Sequence, residues 1–355
     1  MSHNLPMKTL SNSQTQVEIG SITEGSLSSI LQAYENHNLI IIVDENTHDC
    51  CLEYMITSFP ELKRAEVILL PVGEENKVME VCFQVWEALT EYGIGRNDLI
   101  LNLGGGVVTD MGGFIASIYK RGIDFIHIPT SLLGMVDASI GGKTGIDLGV
   151  YKNQLGVFNQ PKAIFIDPIF LATLSDNEKR NGYAEMLKHG LIADKSHWEK
   201  IKDKTIEQIT LQDISDSVGI KFAIVEQDPT EKNMRKTLNF GHTIGHAIEG
   251  YLLEREPISH GYAVALGMLV EAGMSLDEHK ITAEEFKEIK AVICKNFKQI
   301  AFETEEITII VAIMRNDKKN ELNKINFSLL NKIGSCEINC YFEEKELTNK
   351  FNYLN

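Results

Sequence analysis

The sequence lacks a basic excess. Lys and Arg number 34 against 50 Asp and Glu, a formal net charge of −16, which argues against a surface built to neutralise a nucleic-acid backbone. A local group of Lys and Arg can still oppose the global sign and hold a small anion. The sequence also lacks Cys-x-x-Cys spacing. Its six cysteines, Cys50, Cys51, Cys82, Cys294, Cys336 and Cys340, read as reduced, mostly buried thiols of a cytoplasmic protein. No apolar run reaches membrane-spanning length; the nearest is 307–314. The first residues have neither the basic nor the apolar region of a signal peptide. Internal repeats and low-complexity tracts are missing too. What remains is an ordinary globular composition, with no nucleic-acid or membrane partner, on 355 residues, enough for two domains.

Two textures fill that length. Up to about Pro168, short apolar runs alternate with amphipathic stretches: Leu39-Ile40-Ile41-Ile42-Val43, Val67-Ile68-Leu69-Leu70, Leu99-Ile100-Leu101, Phe125-Ile126-His127-Ile128 and Ala163-Ile164-Phe165-Ile166-Asp167. Such runs predict strands buried on both faces, in a mainly parallel sheet with helices between. Beyond Ser175 the periodicity becomes helical, over 178–192, 196–210, 213–225, 243–253, 263–279, 284–296 and 307–316. The reading is an α/β, Rossmann-like nucleotide-binding domain over 1–175 and an α-helical domain over 176–355, with the site in the cleft between them.

Two segments carry chemistry. The run Leu99-Ile100-Leu101-Asn102-Leu103 leads into Gly104-Gly105-Gly106-Val107-Val108-Thr109-Asp110, which reads as strand, tight turn, helix. Glycine allows close approach to a ligand, and a helix start offers N–H groups to a pyrophosphate. The spacing is not the G-x-G-x-x-G of the usual dinucleotide fingerprint. The second segment, Asn239-Phe240-Gly241-His242-Thr243-Ile244-Gly245-His246-Ala247-Ile248-Glu249, places two imidazoles on one helical face. His260 follows in Ser259-His260-Gly261-Tyr262. Three histidines among small residues suggest a divalent-metal site awaiting a carboxylate, with His242 and His246 as the obvious i, i+4 pair.

Further dense segments lie between these two. They are Pro129-Thr130-Ser131-Leu132-Leu133, then Asp137, Gly141-Gly142-Lys143-Thr144-Gly145, Lys152-Asn153, and Tyr183-Ala184-Glu185-Met186-Leu187-Lys188-His189-Gly190. In this order, and with Asp317-Lys318-Lys319-Asn320 near the end, the motifs resemble the 3-dehydroquinate synthase family of sugar-phosphate cyclases over about 71–333. The sequence departs from the common family pattern at Ser131, where Thr is frequent, Asp147, where Asn is common, and Tyr262, where Glu is usual.

The resemblance implies conversion of 3-deoxy-D-arabino-heptulosonate 7-phosphate to 3-dehydroquinate and phosphate, in the shikimate pathway. It implies an NAD that is reduced and reoxidised in each turnover, and one divalent metal, zinc before cobalt. Glu185, His242 and His260 would be the metal ligands, and His246 a substrate and proton-relay residue. The substrate pocket would take Lys143, Lys188, Lys221, Arg235, Asn239, Asn153 and Asp137, with Lys318 or Lys319 on the phosphate. For NAD it points to Asp44, Asn46, Glu74, Lys77, Gly105, Gly106, Val107, Val108, Thr109, Asp110, Thr130, Ser131, Lys143, Lys152, Phe170 and Thr173. An acid after a strand, as Asp44 is, also suits ribose hydroxyls and repels a 2′-phosphate. Arg121 would reach the phosphate site of a second copy, implying a homodimer. His127 and His189 read as packed or surface histidines. Alternatives are another sugar-phosphate cyclase, a metal-dependent polyol dehydrogenase, which would release NADH, and a non-enzymatic binding relative.

Overall fold

The computed structural model describes residues 7–149, 151–253, 255–315 and 324–354. The chain divides into two units, Met1–Ser175 and Asp176–Asn355.

The first unit contains, among the described residues, strands β1 (Lys8–Ser11), β2 (Gln16–Ile19), β3 (Leu39–Asp44), β4 (Glu66–Leu70), β5 (Leu99–Gly104), β6 (Asp124–Pro129), β7 (Lys143–Leu148), β8 (Tyr151–Phe158) and β9 (Ala163–Ile166). Seven form one sheet in the order β1-β2-β9-β6-β5-β3-β4. All neighbours pair in parallel except β1 with β2. The central strands are apolar on both faces because helices cover both sides: β3 and β5 are buried along almost their whole length. β7 and β8 form a separate antiparallel hairpin, which packs on the Gly106–Ile118 helix.

The order β4-β3-β5-β6-β9 reverses direction between β3 and β5. In an open parallel sheet, ligands bind outside the carboxyl ends of the strands at such a reversal. Ile42 of β3 lies opposite Asn102 of β5, so Asp44 and Gly104 end their strands level with one another. The Gly106–Ile118 helix can lie this close to β5 only because of its glycines. A Cβ on Gly112 would stand 1.9 Å from Asn102 Oδ1.

In the second unit the long helices are Asp176–Ala193, Leu211–Gln227, His242–Leu252, His260–Asp277, Ala283–Asn296 and Thr304–Met314. The helix expected over 196–210 is broken. It runs Lys195–Ile201, and a short 3₁₀ turn follows at Ile206–Gln208. The Tyr183 hydroxyl donates to Ile201 O at 2.7 Å, satisfying a terminal carbonyl where the helix stops. The helical reading also passed over an antiparallel hairpin, β10 (Lys324–Lys332) and β11 (Ser335–Glu343). It turns at Gly334, whose φ of +88° and N–H bond to Leu191 O at 2.8 Å dock it on the Asp176–Ala193 helix. The cysteines differ from expectation as well: Cys51 and Cys82 are buried, but Cys50 and Cys294 are exposed and Cys336 and Cys340 half-buried. Among the described residues no helix is long and apolar enough to cross a membrane.

Candidate functional site

Two helices of the second unit cross at glycine. A Cβ on Gly267 would meet Gly241 O at 2.0 Å, and one on Gly245 would meet Ala263 O and Val264 Cα at 3.0 Å. The Gly241-x-x-x-Gly245 spacing therefore lets the His242–Leu252 helix lie backbone-to-backbone on the His260–Asp277 helix. That approach brings three imidazoles together. Ring centroids are 5.1 Å apart for His242 and His246, and 5.4 Å for His260 from each of the other two. One ring nitrogen of each lies within 4.8 Å of the others.

The Asp176–Ala193 helix adds the carboxylate. Asn181 Oδ1 accepts the Gly261 N–H, pinning the start of the His260 helix. Glu185, one turn further along, is fully buried beneath the histidines. His242 Nδ1 lies 3.2 Å from Phe240 O, and His260 Nδ1 lies 3.1 Å from Glu249 Oε2. Those oxygens can only accept, so in the neutral rings both Nδ1 atoms carry the hydrogen and both Nε2 atoms carry the lone pair. The lone pairs face Glu185 Oε1, at 3.5 Å from His242 and 3.9 Å from His260. Lys188 pairs with the other oxygen, Oε2, but on the Oε1 side a carboxylate oxygen and two nitrogen lone pairs aimed at one another repel, which a cation among them would relieve. One oxygen and two imidazoles, each imidazole held by an acceptor behind it, suit zinc or cobalt.

Three of the cations expected around this centre are buried. Lys188 pairs with Glu185, Lys221 is buried on the Leu211–Gln227 helix, and Arg235 is 2% exposed. Arg235 is held by a turn wrapped round Asp228. The Asp228 carboxylate accepts N–H bonds from Lys232, Asn233 and Arg235 at 3.0, 2.6 and 3.1 Å. Burial would raise the Asp228 pKa, but these donors outweigh it and hold it below the usual carboxylate range. Asn239 donates to Glu231 Oε1 at 2.8 Å.

In the first unit, Thr130 N–H donates to Gly104 O at 3.0 Å, and Ser131 Oγ accepts the Gly134 N–H at 3.1 Å. A Cβ on Gly105 would lie 3.3 Å from that Oγ, so the Thr130-Ser131 loop closes over the glycine turn; Val107, Val108 and Thr109 follow in the first turn of the helix. Asp44 caps the next turn of chain, its Oδ1 accepting Thr47 N–H at 2.7 Å. Lys77 donates to Asp110 Oδ2 and to Asn153 Oδ1, both at 2.7 Å. Burial pushes the Lys77 ammonium down, yet Asp110, Glu74 and Asp147 outweigh it and hold its pKa well above the ordinary value. Lys152 pairs with Glu74 at 3.1 Å and Asp147 at 3.3 Å. Asp147 Oδ1 accepts the Asn153 N–H at 2.6 Å and fixes that residue at a φ of +50°. One network thus joins Glu74, Lys77, Asp110, Lys152 and Asn153.

A family model for the 3-dehydroquinate synthase N-terminal part matches residues 67–181, and one for the C-terminal part matches 182–320. The 3-dehydroquinate synthase of Parabacteroides distasonis is 38% identical over 92% of this chain and 94% of its own. The chain belongs to the 3-dehydroquinate synthase family. Solved structures agree on the fold. A 2-deoxy-scyllo-inosose synthase complexed with carbaglucose-6-phosphate, NAD+ and Co2+ superposes with a TM-score of 0.83 at 23% identity, covering 98% of this chain and 99% of the other. The 2-epi-5-epi-valiolone synthase of Streptomyces hygroscopicus, with NAD+ and Zn2+ bound, gives 0.82 at 24%, covering 99% of each. At such identities these likenesses establish architecture alone.

The remaining expected family residues scatter more widely. Asn46 and Thr173 are exposed, Phe170 is buried against Tyr54, Asp137 is half-buried and Lys143 is exposed at the start of β7. Arg121 is exposed at a φ of +68° and lines an open cavity of about 780 Å³ with Arg96, Asn97, Ser117 and Phe158. Lys318 and Lys319 lie outside the described residues. His127 and His189 are packed: His127 lies against Phe125 and Asn102, and His189 against Ser217. Tyr262 packs on Phe297 and donates to Lys298 O. Residue-by-residue reading gave no role to Asn181 and Glu249. The signal was spacing: Asn181 is one turn before Glu185, and Glu249 is seven residues after His242, on the face that His242 and His246 share.

Proposed function

We propose that this chain converts 3-deoxy-D-arabino-heptulosonate 7-phosphate to 3-dehydroquinate and phosphate, with NAD at the first unit's strand reversal and one divalent metal, zinc before cobalt, at Glu185, His242 and His260. The observation that carries the reading is the pair of Nε2 lone pairs facing a buried carboxylate, in a chain matched along 67–320 by both halves of the family model. The bound metal would supply Lewis acidity to substrate hydroxyls. His246, whose ring nitrogen lies within 4.8 Å of those of His242 and His260, is assigned by the family resemblance to relay a proton instead of binding the metal. Lys188, Lys221 and Arg235 hold substrate anions, where burial strengthens each charge-assisted bond. Asn239, Asn153, Asp137 and Lys143 orient the substrate, and Lys318 or Lys319 takes the phosphate. Asp44, Glu74, Lys77, Asp110 and Lys152 hold NAD with the glycine turn, Thr130 and Ser131. The enzyme works in the cytoplasm.

Incubation with the heptulosonate phosphate tests this. Phosphate and 3-dehydroquinate should appear in equal amounts while total NADH stays constant. Stoichiometric NADH would replace the reading with a simple dehydrogenase. We also propose a homodimer in which Arg121 serves the partner's phosphate site, a planar donor fork suiting a phosphate. Mixing Arg121→Ala with His246→Ala chains should restore part of the activity, and hybrids that recover nothing would remove that role.

A further inference from the structure

The His260–Asp277 helix is apolar almost throughout, yet carries one fully buried carboxylate, Glu271. Its Oε2 accepts the Gly241 N–H at 2.6 Å, and its Oε1 the Ile244 N–H at 3.4 Å. These donors lie at the N-terminus of the His242–Leu252 helix, where N–H groups lack partners within the helix and a negative charge is favoured. Gly241 stands there in the left-handed region at a φ of +80°. The Gly241 N–H belongs to the same peptide group as Phe240 O. Phe240 O is the acceptor for His242 Nδ1. One peptide plane therefore joins Glu271 at one end to His242 at the other.

We propose that Glu271 is a positioning residue for His242, acting through the Phe240–Gly241 peptide. A carboxylate on the N–H side fixes the orientation of that plane. It also polarises the peptide, making Phe240 O a stronger acceptor for the imidazole Nδ1–H. The result is one tautomer and one ring orientation, with the Nε2 lone pair directed toward Glu185 and the metal it would share. His260 reaches the same state by a direct contact with Glu249, so the two imidazoles have different supports: a carboxylate at first hand and a carboxylate through a peptide. Supports of this kind affect metal affinity by about 10- to 100-fold when lost. The inference rests on the metal reading of Glu185, His242 and His260.

The test uses the metal-free full chain and zinc alone. Zinc affinity is measured by chelator competition for the wild type, Glu271→Leu and Glu271→Gln, with circular dichroism to verify folding. The ring nitrogens of His242 are followed by ¹⁵N NMR of histidine-labelled protein. Glu271→Leu should bind zinc about tenfold more weakly or worse, and metal-free His242 should lose its single Nδ1–H form. Glu271→Gln keeps one acceptor oxygen without the charge and should show a smaller loss in the same direction; it decides the matter if the leucine variant does not fold. Folded variants with wild-type zinc affinity and an unchanged His242 tautomer would overturn the role of Glu271 alone. A wild-type chain without zinc affinity would overturn the metal reading beneath it.

Discussion

The two units both bury charge, and they do it in opposite ways. In the first, Lys77 and Lys152 are interleaved with Glu74, Asp110 and Asp147, each ammonium within 3.3 Å of a carboxylate. In the second, Lys188 pairs with the Glu185 carboxylate on one side, while two imidazole lone pairs face it on the other. The first arrangement gives every buried ammonium a carboxylate partner within the chain, so its shape is set by the chain's own charges. The second leaves acceptors aligned beyond its one ammonium and is stabilised further by a cation that enters among them.

The sharpest way to break this contrast is to remove a ligand. His242→Ala should lose bound zinc and lower turnover by about a thousandfold, since metal charge stabilisation is worth several kcal/mol and each 1.36 kcal/mol is a factor of ten. Atomic absorption and steady-state assays check both. Full zinc content in the variant would mean that His246 and His260 suffice with Glu185, and the contrast would need redrawing.

Next in size is the glycine crossing. Gly267→Ala would place a methyl 2.0 Å from Gly241 O, a backbone atom that cannot swing aside. The cost should be about 3 kcal/mol in denaturant unfolding, with zinc lost before the helices themselves melt. If zinc affinity holds, the site tolerates a shift of the two helices, and backbone contact is not what sets it.

These glycines also mark how far the sequence could be read. The α/β pattern was legible because β3 and β5 are buried along almost their whole length, which leaves a continuous apolar run. The histidine cluster was legible because i, i+4 spacing on a helix needs no tertiary knowledge. The hairpin of β10 and β11 was overlooked although Ile325-Asn326-Phe327-Ser328-Leu329 alternates apolar and polar residues, the period of a strand; what the alternation does not show is that Asn326 and Ser328 are buried too. The break after Ile201 depends on Tyr183, eighteen residues earlier in the chain, and the Asp147 network on side chains from four separate segments. Glu271 was visible as a lone acid in an apolar helix, but its link through a peptide to His242 exists only in three dimensions.

A smaller effect tests the closed network of the first unit. Asp147→Ala removes the acceptor of the Asn153 N–H and a partner of Lys152. Hydrogen bonds to charged groups are worth about 2 kcal/mol, so calorimetric NAD affinity should fall by about thirtyfold. Asp147→Asn keeps an acceptor for that N–H and should retain much of the affinity. Equal losses in both variants would show that the charge, and not the bond to Asn153, is what matters.

The smallest effect near neutral pH is carried by His127, and it grows with acid. Burial in the sheet beside Phe125 lowers its pKa from the ordinary 6.5 to about 3. The folded state thus holds it neutral where the unfolded chain takes up a proton. A group depressed in this way contributes stability that is fully present above pH 6.5 and is lost as pH falls toward 3. Over that window the loss should approach about 1.4 kcal/mol per pH unit, the slope for one proton. His127→Gln cannot titrate there and keeps an acceptor for Asn102, whose Nδ2 lies 3.2 Å from His127 Nδ1. Urea unfolding from pH 7 to pH 4 should therefore be less steep for the variant. The second unit has a parallel case in His197, lowered by burial against the pull of Asp216, Asp194 and Asp213, so some acid sensitivity must remain. If the variant and the wild type share one pH profile, His127 is not held neutral by the first unit, and the acid response belongs to the second.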